Sequence, residues 1–141
     1  MKYAKWMLTL TLTLLPILAS AQMGESTKIV AKVPFEFMVA NKVVPAGQCI
    51  VQSADMGGRT LIVGNTAAKV NLFAPALPDV TKKAADTYAL VFDKYGDHYF
   101  LAAIKLAGTR TMYRLAESKA EAELRAQNVP AAQEIVLASL K

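Results

Sequence analysis

Between Val33 and Val51 the chain reads VPFEFMVANKVVPAGQCIV, and apolar side chains fall at every second position: Val33, Phe35, Phe37 and Val39. A period of two sends all four to one face of an extended chain and Glu36 to the other, which a helix cannot do. The stretch therefore reads as two strands, with turns at Ala40-Asn41-Lys42 and at Pro45-Ala46-Gly47. Pro34 removes a ladder donor, so it marks an edge, a strand start or a kink. One greasy face of this kind needs further strands to cover it.

The remainder supplies them. Gln48 to Ser53 continues the pattern, and Asp55-Met56-Gly57-Gly58 closes it with a loop. Arg59 to Gly64 and Ala67 to Phe73 form a hairpin, with Leu61 and Val63 on one face, and Val70 and Leu72 on another. Ala74 to Ala85 carries Pro75 and Pro78 and reads as a long loop, either a surface crossing or a lid. Asp86 to Asp93 and His98 to Lys105 make the clearest hairpin: Tyr88, Leu90 and Phe92 alternate in one strand, and Phe100, Ala102 and Ile104 in the other. Arg110 to Arg114 is a short segment leading to the one convincing helix. Ser118 and Glu121 form a capping box there, while Lys119 with Glu123 and Glu121 with Arg125 are spaced as exposed i, i+4 pairs. Val129-Pro130 stops the helix, and Glu134 to Leu140 returns as a last strand. Short strands with turns at this spacing predict a mainly β domain, an antiparallel β-sandwich or barrel with one short helix in its C-terminal half.

Only residues 22–141 are expected to form that domain, with 22–27 frayed. Lys2 and Lys5 begin a segment in which Trp6 to Leu18 is apolar and Ala19-Ser20-Ala21 supplies small residues, the layout of a signal peptide cleaved after Ala21. The apolar run is shorter than the ~20 residues that cross a bilayer, so no membrane span is expected after cleavage. The expected location is the periplasm or the cell exterior. Losing both lysines lowers the formal charge of +5 to +3. The remaining basic residues are dispersed, which argues against nucleic acid as a partner.

Candidate chemistry is sparse. Cys49 is the single cysteine and His98 the single histidine, so no metal site and no internal disulfide can be composed from them. A Cys49–His98 nucleophile oriented by Asp97 or Asp93 has no supporting motif. No phosphate-cradling loop and no cofactor signature occurs. The hairpin tip gathers Lys94, Tyr95, Asp97, His98 and Tyr99, a mixture of aromatic and polar groups suited to a protein or glycan of the envelope, or else a turn whose tyrosines cover the ends of the core. Self-association through an uncovered strand, Lys28 to Val33 or Glu134 to Leu140, is a further expectation.

Three motifs taken together, VPFEFMVANKVVPAGQ, FDKYGDHYFL and LAESKAEAEL, resemble a group of small exported bacterial proteins of unknown function. That group shares PF.F.V…PAG and KYGD.YFL hairpins and an SKAE.EL helix, although a proline often precedes the helix serine where Ala116-Glu117 stand here. The resemblance implies a compact β domain with a late helix and implies no catalytic residue. The expected function is a non-catalytic binding or structural role, with a small secreted hydrolase as the alternative.

Overall fold

A computed structural model describes residues 28–55 and 57–141; the expected signal peptide (1–21) and the expected frayed start (22–27) lie outside the described residues. Ten strands and one helix follow in order: β1 (Ile29–Val33), β2 (Phe37–Val39), β3 (Lys42–Val44), β4 (Gly47–Ser53), β5 (Thr60–Asn65), β6 (Val70–Val80), β7 (Tyr88–Tyr95), β8 (His98–Lys105), β9 (Thr111–Leu115), α1 (Lys119–Ala126) and β10 (Ala131–Leu140). Eight of the strands close on themselves in the order β1-β4-β5-β6-β9-β8-β7-β10 and back to β1, each pair antiparallel. The protein is a closed β-barrel.

Alternation along each strand fills the interior with side chains, as a ring of this size requires. Ile29, Val33, Cys49, Val51, Val63, Leu90, Phe92 and Ile104 all point inward and are 4% exposed or less. The β2–β3 hairpin stands outside the ring, attached to β8 by one parallel bridge, Met38 to Phe100. It also plugs the barrel: Phe35 and Phe37 meet the ring of Phe92 edge-on, with centroids at 4.9 and 5.0 Å. The alternation through Val33, Phe35, Phe37 and Val39 thus serves one core, but across two strands, because the chain bends between Val33 and Phe37 at Pro34. Ala40 and Asn41 both take positive φ, 49° and 64°, in the tight turn that follows.

Buried Asn65 locks two distant turns together. Its Nδ2 donates to the carbonyls of Pro45 (3.2 Å) and Ala46 (3.3 Å), and its Oδ1 accepts from the Ala68 amide at 3.2 Å. Gly47 adopts φ 135° beside this amide, where an added Cβ would lie 3.1 Å from Asn65 Nδ2. Glycine in the PAG turn is therefore a matter of both backbone and space.

Three expectations are corrected. Ala74 to Ala85 is not a loop or lid through its first half, since β6 runs unbroken to Val80. It exchanges partners on the way, pairing with β5 up to Pro75 and with β9 from Ala76. The flanking bonds run from Ala116 N to Pro75 O and from Thr81 N to Arg110 O, so Pro78 falls where its missing N–H would point away from β9, to the side β5 has left. Second, Phe100, Ala102 and Ile104 do not share a face. Phe92 pairs with Leu101 while Val91 pairs with Ala103, so Ala102 is a bulge and Phe100 turns to the outer wall. Third, neither Lys28 to Val33 nor Glu134 to Leu140 is a free edge strand: β1 pairs with β4 and β10 with β7, and the two meet over Ile29–Ala31 and Ala138–Leu140, so a one-sided backbone remains at Lys32, Val33 and Glu134 to Leu137.

Candidate functional site

The Ala102 bulge creates the site. It places Phe100 on the outer wall beside Asp93 and Tyr95, which alternate on that face of β7. The Tyr95 and Phe100 rings meet edge-on at 5.8 Å. Strand β9 ends at Leu115, and three residues later Ser118, extended at φ −74° and ψ 158°, caps α1 by accepting from the Glu121 amide at 3.2 Å. The Lys119 amide donates to Asn41 Oδ1 at 3.0 Å and ties the helix start to the β2–β3 turn. The helix then lies across the wall over Tyr95.

What holds it there is unusual for a surface helix. Its one buried residue is Glu121, 6% exposed, and Ala120, Ala122 and Leu124 are only half-buried. Tyr95 Oη, itself on a 5% exposed residue, donates to Glu121 Oε1 at 3.2 Å. Burial pushes the Glu121 carboxyl up to about 7; the neighbouring Asp93 carboxyl adds to the rise by hydrogen bonding to its neutral form and by its charge, and Tyr95's hydrogen bond pulls it partly back. Burial likewise raises the Tyr95 phenol, with the Glu121 charge second. Asp93 and Glu121 thus stand as neighbouring carboxyls at the foot of the helix. The expected exposed pair of Glu121 with Arg125 is not formed, because the carboxyl turns inward. Arg125 binds Glu117 instead, at 2.8 Å.

Beside this pair a cleft of about 660 Å³ opens between α1 and the outer faces of β6, β7 and β9. Its apolar lining is Pro75, Leu77 and Ala102, with Ala76 and Leu115, which belong to the barrel core, reaching its edge. Three guanidiniums reach it from three directions: Arg59 before β5, Arg114 in β9 and Arg125 in α1. Arg114 pairs with Asp79 at 3.3 Å, both side chains about half exposed or more, and Arg125 pairs with Glu117 with its own side chain 68% exposed. Ion pairs this wet contribute ~0–1 kcal/mol and exchange readily. Arg59 has no ion-pair partner among the described residues. A smaller hollow of about 220 Å³ lies toward β2, lined by Met38, Asn41 and Phe100, and Glu121 borders both spaces.

The hairpin-tip residues are not presented together. Strands β7 and β8 run to Tyr95 and His98, leaving only Gly96-Asp97 as the turn, with Gly96 at φ 60°. Lys94 pairs with Tyr99 and Tyr95 with His98, so the two tyrosines face opposite ways. Tyr95 is buried against α1, so it does not join the exposed tip residues as a partner-binding group and instead covers the barrel wall. Tyr99 stacks on Phe35 at 3.8 Å with Lys94 Nζ 5.3 Å above its ring. Asp97 and His98 are exposed. Cys49 lies inside the barrel, 1% exposed, its thiol pushed up to about 12 by burial, so it and His98 share no surface.

Sequence reasoning missed Glu121. A signal for it existed: Leu124, the one large apolar side chain of the helix, follows it by three residues and so shares its face. Tyr95 and Glu121, from the KYGD and SKAE motifs, are the very residues that meet.

No protein-family model, curated protein or solved structure matches the chain.

Proposed function

We propose that the protein is an exported, non-catalytic binding domain whose ligand occupies the cleft beside α1, acting in the cell envelope or outside the cell. The observation that carries this reading is the cleft's composition, an apolar floor of Pro75 and Leu77 beside exposed arginines. Concave, largely apolar sites with a few convergent polar groups are where small ligands bind. The leader-like first 21 residues support export.

A second reading, a small hydrolase, draws on the Asp93–Glu121 pair, since a carboxyl near 7 suits proton transfer. Binding is favoured because Glu121 and Tyr95 are buried and hydrogen-bonded to each other. Amide-resolved NMR titration of the mature chain with short-chain carboxylates, alcohols and saccharides tests the proposal. Shifts at Ala76, Leu77, Leu115 and Arg125 are the expected result; shifts confined to Asp97, His98 and Tyr99 would move the site to the hairpin tip. Hydrolysis of a probe that disappears in Asp93→Asn would instead support the enzyme.

A further inference from the structure

Resting on that cleft reading, we propose that the ligand is a small organic monoanion of the carboxylate class with an apolar chain. Leu77 is 68% exposed on the floor, with Pro75 beside it, and an apolar chain laid there would remove both from water. Guanidiniums bracket that floor. Arg114 lies opposite Leu77 in the β6–β9 register, the Arg59 carbonyl accepts from the Ala76 amide on the other side of β6, and Arg125 approaches from the helix. Each guanidinium carries five donors in a planar fork matched to a carboxylate. Arg114 commits Nε and one terminal nitrogen to Asp79, and Arg125 one terminal nitrogen to Glu117, which leaves donors for a ligand.

The same lining selects against other classes. Among the described residues it contains no Asn, Gln, Ser or Thr, and its one aromatic residue there, Tyr95, is buried with its hydroxyl already committed. A saccharide would find neither a stacking platform nor amide partners. A cation would meet the three guanidiniums over the exposed floor, the carboxylates standing to one side. Asp93, Glu117 and Glu121 on the adjoining wall limit how much negative charge the site accepts, which favours one charge over two.

Calorimetric titration of the mature chain with decanoate and with decanol, below their aggregation limits, tests the inference. Decanoate is expected to bind about tenfold more tightly than decanol, an advantage that shrinks as salt is raised. Arg59→Gln or Arg125→Gln should bring decanoate down toward decanol, and Leu77→Asp, at an exposed position, should weaken both. Equal affinity for the two would overturn the monoanion while leaving the cleft reading in place. Binding of neither, with NMR shifts at the cleft from a different compound, would do the same. Binding of neither and no shifts at the cleft from any compound would overturn both.

Discussion

Glu121 carries more of this molecule's physics than any other side chain. Its carboxyl is raised in the folded protein, from the ordinary 4.5 to about 7, so the folded state holds a proton that the unfolded chain has released. Stability from this group is therefore fully present below pH 4.5 and is lost as pH rises toward and through 7. The loss is on the order of 1–3 kcal/mol. In Glu121→Gln the amide can accept from Tyr95 and donate to Asp93 without a charge. Urea unfolding at a series of pH values should show that this variant's stability is flatter between pH 5 and 8 than the native protein's, and higher at pH 8. Tyr95→Phe deletes the one hydrogen bond that draws Glu121 downward. It should cost about 1–3 kcal/mol and move the Glu121 transition further up. Parallel pH profiles for all three proteins would refute the role given to the pair.

At the scale of elements, α1 is a helix with little apolar reason to stay docked, so its attachment should follow the protonation of the group beneath it. Hydrogen exchange of the amides in residues 119–126, corrected for intrinsic rates, should show protection about tenfold lower at pH 8 than at pH 5.5, with no such change in Glu121→Gln. Unchanged protection in the native protein would mean that Ser118, Asn41 and the half-buried Leu124 suffice to hold the helix. The helix also shows how far the sequence could be read. Its start, cap and stop were legible because Ser118, Glu121 and Pro130 are local signals. Its orientation was not, because charge spacing alone cannot tell an exposed Glu from one turned under the helix toward Asp93, which lies far away in sequence. Strand β6 escaped for a related reason. Pro75 and Pro78 read locally as a loop, and only the exchange from β5 to β9 shows which backbone bonds they forgo. The Ala102 bulge likewise has no local signature, yet it determines that Phe100 lies under α1 rather than in the core, and with that the position of the whole cleft.

For the molecule as a whole, alternation announced a shared interior, but whether the strands formed a sandwich or a barrel depended on one long-range event. The last strand returns to lie between the first and β7. Side chains of β10 contribute little to this: Ile135 and Leu137 are 52% and 68% exposed, and only Val136 and Ala138 are packed against the core. Its contribution is the backbone ladder, eight paired positions with β7 and three with β1. A chain ending at Val129 would leave β1 and β7 each with an unpaired edge and the interior open to water. Such a truncation should lose its cooperative thermal transition and aggregate as concentration rises, read by circular dichroism and light scattering. Ile135→Lys and Leu137→Lys, which alter only outward side chains and keep every ladder bond, should stay within about 0.5 kcal/mol of the native protein. A truncated chain that still unfolded cooperatively would mean the other strands bury the core without closure. Destabilisation by the lysine variants equal to that of truncation would mean that outer-wall burial, rather than the ladder, holds β10 in place.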